Sequence, residues 1–229
     1  MKIRSDSCRP GQAAAFTLVE VIVAMTILIF AVAGAAAITM QGLKIYAYDS
    51  DRLMLNNDMR HFTEQLSADA AGANCFLVYD SLATMNARST TGVSGDYLVL
   101  VTLTPDASTG WSDITKIVGY YRVQTNATTN VGTVYRYSKT FSTPVAWTTT
   151  TASTWLASQV PTTTPTNTYP IFAQSVIGTG YDGTNYKKLF YINNSTNTSI
   201  MVKGKVQDQY NANYKLAIDT YNLTIAPHG

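Results

Sequence analysis

The chain has 229 residues, enough for one medium domain with an appendage. Charged residues make up 13% of it, against about 25% in an average globular protein, and the formal net charge is +2. That balance excludes a strong overall pull on nucleic acid, and two cysteines exclude a disulfide framework.

The first 15 residues form a basic arm, with Lys2, Arg4 and Arg9 against Asp6; the remainder is neutral. A basic arm ahead of an apolar run reads as a cytoplasmic anchor under the positive-inside rule. Cys8 lies in this arm and Cys75 beyond the apolar run, so the two are not expected to pair. Cys75 is expected to be a buried structural thiol rather than a reactive one.

From Val21 to Leu43 there are 23 positions without a charge, and a bilayer core needs about 20 helical ones. A buried soluble helix is rarely apolar on every face over such a length. The pattern therefore predicts a membrane helix over about 18–40. Its far half, "AVAGAAAITM", is built of small residues that let helices approach closely. Gly34 is the point where the helix is weakest.

The helix is predicted to continue through 41–74. Leu55, Met59, Phe62 and Leu66 are spaced by four, three and four, which puts them on one face. Arg60 and Glu64 are placed to pair at i, i+4. Gly72 and Asn74 supply the stop. A helix from Phe16 to Gly72 would be about 85 Å long at 1.5 Å per residue.

From Cys75 the period changes to two. Strands are predicted over 96–103, 116–124, 133–141, 169–175, 186–192, 199–207 and 214–225, with 116–141 as a hairpin. A Thr-rich stretch over about 142–168 has no amphipathic period and reads as an exposed loop. Trp147 and Trp155 would make it a partner surface. The order, one long helix followed by strands, predicts an α+β fold in which the helix packs on a mostly antiparallel sheet. The expected divisions are a leader at 1–15, the long helix at 16–74 and a β-rich head at 75–229.

Glu20 is the residue that calls for a reason. A lone carboxylate near a membrane helix end can reach the headgroups, and a helix N-terminus favours negative charge. Its neighbours say more. A basic arm, then Ala15, then "FTLVE" (16–20), then the apolar run resembles the class III signal of type IV pilin-like proteins. The resemblance implies cleavage between Ala15 and Phe16 by a prepilin peptidase at the cytoplasmic face of the membrane. It also implies N-methylation of Phe16, and Glu20 as the carboxylate that neutralises a neighbouring subunit's amine during fibre assembly. Where the family usually has Gly before the cut, this chain has Ala15. An ammonium and a carboxylate held in hydrocarbon gain by meeting, because neither has water there.

"MRHFTEQLSADAAGAN" (59–74) is similar to the end of the long helix in minor pilins and J-type pseudopilins of type II secretion. "VGYYRVQTNATTNVGTVYRYS" (118–138) is similar to the hairpin of those groups, with Arg122 and Arg136 near one another. The resemblance implies a fold of the pilin type. Its implied partners are other pilins or pseudopilins, the prepilin peptidase, an inner-membrane assembly platform and the lipid bilayer. The implied location is the bacterial inner membrane, single-pass, with the head outside the cytoplasm, and later a periplasmic or extracellular fibre. The single cysteine after the cut points to a minor pilin or pseudopilin, and Glu20 to one that is not outermost.

Catalytic patterns are thin. His61 and His228 have no spaced metal partner. There is no phosphate loop and no G-x-S-x-G. Asp182 in "GYDGTNY" reads as a turn residue. The N-x-S/T triplets at Asn126, Asn193, Asn194, Asn197 and Asn222 arise by chance in a Thr-rich chain. No enzyme activity, cofactor, metal or nucleic-acid partner is expected. The alternative is a secreted β-rich binding or adhesion protein, cut by an ordinary signal peptidase at the A-x-A sites of "AVAGAAA". Glu20 and the length of the apolar run argue against it.

Overall fold

The computed structural model describes residues 17–84, 87–88, 93–105, 112–126, 130–147, 158–159, 170–181, 184–193, 199–207 and 218–227. The chain divides into two compact units, Met1–Asp49 and Ser50–Gly229.

Helix α1 runs Leu18–Ala71. Every residue from Thr17 to Asp49 is exposed. By length and composition, α1 is sufficient to cross a membrane. In the second unit its character changes. Leu55, Phe62, Leu66 and Ala70 are buried and Met59 is half-buried, the face that the 4-3-4 spacing predicts. Arg60 and Glu64 pair at 2.8 Å on the exposed side. The helix stops at Gly72, whose N–H still reaches Ala68 O at 3.4 Å. Two residues on, Asn74 is already in sheet register: its N–H donates to Val101 O and its side chain accepts from Leu103 N.

The strands are β1 (Cys75–Tyr79), β2 (Ala87–Arg88), β3 (Ser94–Gly95), β4 (Tyr97–Pro105), β5 (Ser112–Asn126), β6 (Val131–Ala146), β7 (Pro170–Gly178), β8 (Gly180–Tyr181), β9 (Tyr186–Lys188), β10 (Phe190–Ile192), β11 (Ile200–Gln207) and β12 (Ile218–Ile225). Among the described residues every pairing is antiparallel, so helix and sheet make an α+β protein. The large sheet has the order β2-β1-β4-β5-β6-β7-β11-β10-β3, with β12 on β11; β8 and β9 form a separate pair.

Strand β4 is buried on both faces, which is why "YLVLV" reads as an unbroken apolar run. Leu98 and Leu100 join the helix stripe, Val118, Tyr120 and Val134 in an inner core. Tyr97, Val99 and Val101 face the opposite way into an outer cluster with Ile117 and Tyr121. Across that outer face, Tyr79, Tyr97, Tyr121 and Tyr135 stand in one row, register partner to register partner over β1, β4, β5 and β6. Their ring centroids are 6.0, 5.4 and 5.6 Å apart. Each such contact adds about 0.5–1.5 kcal/mol beyond burial.

Four expectations are adjusted. The predicted strand 186–192 is two short strands, broken at Leu189. β1 went unpredicted, because a five-residue apolar run directly after a helix has no alternation to betray it. β6 continues to Ala146, pairing Asp113↔Ala146 and Ile114↔Val145, so the segment following the hairpin starts later than position 142. Trp147 is half-buried against the outer cluster; Trp155 lies outside the described residues.

Along one side of β11 the neighbouring strand is interrupted. β7 and β10 lie end to end along the same side of β11, with Gly178↔Gly204 and Phe190↔Val202, while β12 takes the other side. Lys203 bridges the break: its carbonyl accepts from Thr179 N at 3.1 Å and its N–H donates to Leu189 O at 2.8 Å. Side chains alternate along a strand. Running β7 straight on would turn Gly180 and Asp182 to the core. Leaving at Gly178 and returning at Phe190 delivers Phe190 and Ile192 instead, both buried.

The Tyr97 hydroxyl is buried and has no hydrogen-bond partner among the described residues. Tyr97→Phe should therefore leave stability unchanged or raise it, by up to about 1–3 kcal/mol, in chemical denaturation of the detergent-solubilised chain. A loss comparable to the usual cost of a core truncation would show that the hydroxyl is bonded.

Candidate functional site

Glu20 sits in the first turn of α1, and the local sequence explains how it is held. Thr17 is the residue before the helix, and Glu20 is three positions on. The Thr17 N–H and hydroxyl donate to Glu20 Oε2 at 2.9 and 3.0 Å, and the Glu20 N–H donates to Thr17 Oγ1 at 3.3 Å. This is a capping box, in which two orphan donors of the helix start are satisfied reciprocally. The T-x-x-E spacing was present in the sequence as a capping signature. It assigns Glu20 a local structural role beside any intermolecular one.

The box does not exhaust the carboxylate. Both Thr17 contacts fall on Oε2 and neither on Oε1. An ionised carboxylate offers about four acceptor directions. An ammonium can therefore be received on Oε1 without uncapping the helix. Ala15 and Phe16, the predicted processing residues, lie outside the described residues, as do Cys8, Asp182 and His228.

In the head, the two arginines of the β5–β6 hairpin are the organising charges. Tyr120 pairs with Arg136 and Arg122 with Val134, so both guanidinium groups are on the core face, one step apart diagonally. They serve different elements. Arg136 binds Asp69 of α1 through Nε to Oδ2 at 2.8 Å and Nη2 to Oδ1 at 3.0 Å. The Tyr120 hydroxyl donates to the same Oδ2. Burial alone would raise the Asp69 carboxyl; the hydrogen bonds from Arg136 and Tyr120, with the Arg136 charge, outweigh it and hold it below the ordinary range.

Arg122 is 3% exposed. It binds Asp96 in a fork, Nε to Oδ1 and Nη2 to Oδ2, both at 2.9 Å. Its remaining donors go to Asn130 O at 2.8 Å, Asn130 Oδ1 at 3.1 Å, Val176 O at 3.3 Å and Lys187 O. Asn130 has a left-handed backbone, φ 56°, a conformation that Asn tolerates better than most residues. Asp96 also accepts from Leu189 N at 3.0 Å. Lys188 adds a pair to Asp80 at 3.0 Å.

The other candidates take ordinary places. Cys75 is half-buried, and burial pushes its thiol up to about 11, which makes it inert near neutrality. His61 is exposed on α1. Among the described residues no three His, Cys, Asp or Glu side chains gather as a metal site would require. Sequence reasoning singled out Arg122 and Arg136 but neither of their carboxylates. Asp69 sits one place before the buried Ala70, a flanking position of the stripe, and Asp96 directly precedes the apolar run "YLVLV" of β4.

Comparison of the chain with known family models, characterised proteins and solved structures finds no match.

Two outcomes follow from these contacts. Thr17→Val should fray the first turn of α1, costing about 0.5–2 kcal/mol of local helix stability, seen as faster amide exchange at residues 18–21 in micelles; Thr17→Ser should not. For Asp69 the folded-state carboxyl is depressed. Its contribution is thus complete above the unfolded value, about 3.9, and disappears as pH falls through the lower folded value. Asp69→Asn should destabilise the head at pH 7 by about 1–3 kcal/mol and flatten the loss of stability below about pH 4. Parallel acid profiles for the two proteins would refute this.

Proposed function

We propose that the chain is a structural subunit of a pilin-like fibre, a minor pilin or a type II secretion pseudopilin. The observation that carries the reading is the Glu20 carboxylate at the start of a helix whose next residues, Val21 to Leu43, carry no charge and are exposed throughout. Every residue of Thr17–Asp49 is exposed, and in this reading that surface faces lipid and then other helices. The basic arm before it supplies the cytoplasmic anchor.

In this reading the chain is stored in the bacterial inner membrane with the head outside the cytoplasm. A prepilin peptidase cuts between Ala15 and Phe16, and the new amine at Phe16 is methylated. A subunit in the growing fibre receives that amine on Glu20. Removing one partner would leave an uncompensated charge in a low-dielectric setting, which is strongly unfavourable. Pairing thus makes docking selective for a processed terminus. Helices then pack in the fibre core and β-rich heads face outward. The partners are other pilins or pseudopilins, the peptidase, an inner-membrane assembly platform and the bilayer. The chemistry is assembly, with no catalytic step and no cofactor.

Mass spectrometry of the mature protein should find Phe16 as the first residue, carrying one added methyl. A terminus near Ile38, with the protein free in the medium, would instead establish the secreted alternative. Glu20→Ala should insert into the membrane normally yet enter sheared fibres at least tenfold less; undiminished incorporation would remove the pairing role.

A further inference from the structure

The charge-free run of α1 is bracketed by Glu20 and Lys44. Their axial separation is about 36 Å at 1.5 Å per residue, against about 30 Å of bilayer hydrocarbon. A spanning helix therefore puts one of them at or just past each hydrocarbon boundary. Beyond Lys44 the helix does not turn polar at once. Ile45, Tyr46, Ala47 and Tyr48 follow before charge resumes at Asp49, Asp51 and Arg52. From Lys44 to Tyr48 the rise is about 6 Å, and the headgroup layer on each side of a bilayer is about 5–7 Å thick. The segment matches that layer in length.

Its side chains match the layer in chemistry. A tyrosine has an apolar body and a polar tip, which suits the boundary between acyl chains and water. A lysine has an apolar stem that can lie in hydrocarbon while its ammonium reaches the phosphates. The arrangement around the helix separates lipid from a protein partner. Where α1 meets the head, its large apolar contacts keep to one face, and Leu55, Phe62 and Leu66 are buried there. At the level of 43–48 they surround the axis. Successive residues turn by about 100°, so Tyr46 and Tyr48 are nearly opposite, with Leu43 on one side between them and Ile45 on the other. All four are exposed. A protein docks on one face, whereas a bilayer encloses the whole circumference.

We infer that Lys44, Tyr46 and Tyr48 form a collar that seats α1 in the headgroup layer on the side of the membrane away from the basic arm. Its partners are phospholipid phosphates, met by the Lys44 ammonium, and glycerol esters, among which the two rings lie. The inference rests on the membrane-stored state proposed above. The collar fixes the depth of the helix at one end and so keeps Glu20 at the opposite boundary.

Tryptophan fluorescence of the full chain in phosphatidylethanolamine–phosphatidylglycerol vesicles tests the collar. Nitroxide quenchers are carried either on the lipid headgroup or deep on the acyl chain. Tyr46→Trp and Tyr48→Trp probe the collar, and Phe30→Trp probes the middle of the run. The signal of Trp111, Trp147 and Trp155 is subtracted using the unsubstituted chain. The ratio of headgroup-level to chain-level quenching should be at least about twofold higher at both collar sites than at Phe30→Trp. If Phe30→Trp is quenched at depth while either collar site is unquenched, or is quenched best at chain level, the collar is overturned and the spanning helix stands. An unquenched Phe30→Trp would overturn both.

Discussion

A guanidinium with 3% exposure has to be paired where it sits. Moving a guanidinium charge out of water costs several kcal/mol unless its donors are met. Meeting them recruits Asp96 from the turn between β3 and β4, Asn130 from the β5–β6 turn, and carbonyls from β7 and β9. Four separate stretches of chain are thereby fixed to one side chain. Removing Asp96 would strand the charge, a loss of about 3–5 kcal/mol. The strand interruption depends on this node as well, because the excursion has to be held against the core face for Phe190 to return in register. The Asp96 N–H to Asp80 O bond, at 2.9 Å, links the same node to the end of β1.

The hairpin β5–β6 thus works as a frame with two reach points on one face. Through Arg136 it takes hold of the helix at Asp69; through Arg122 it takes hold of the loops that cover the other part of that face. The apolar stripe Leu55–Ala70 gives the helix its attraction to the sheet but little axial specificity, since one turn's shift would bring similar side chains into contact. Asp69 removes that freedom, because the fork to Arg136 has a fixed geometry. Hydrophobic area provides the affinity of helix for sheet and the ion pair sets its register.

Much of this was written plainly in the sequence. Leu55, Met59, Phe62 and Leu66 announced their face by spacing alone, and "VGYYRVQ" and "TVYRYSKTF" announced a hairpin by alternation around turn residues. The 23 uncharged positions after Glu20 announced the first unit. What stayed hidden was non-local. Asp69 looks like any helix-surface acid until the sheet places Arg136 opposite it, 67 positions away. The break at Leu189 has no local signal, because Lys188 and Leu189 suit a strand; it exists only because Gly178 and Phe190 share a neighbour in β11. Two-residue strands such as β3 and β8 are products of tertiary closure and have no propensity to read. At Glu20, sequence reasoning reached for a partner in another chain and passed over the nearer one. Thr17 is three residues away and satisfies one oxygen without occupying the other.

The row of tyrosines on the outer face also bears on how the head answers to force and heat. Tyr79, Tyr97, Tyr121 and Tyr135 belong to four adjacent strands, and they touch as a single file. Tyr97 and Tyr121 each have a ring on both sides, so sliding one strand along its neighbour would break ring contacts as well as ladder bonds. The ladder of main-chain bonds resists separation of the strands; the aromatic file resists shear between them. A sheet ribbed in this way behaves as a plate rather than as a set of ribbons. It should lose these four strands together, in one cooperative step, instead of one at a time.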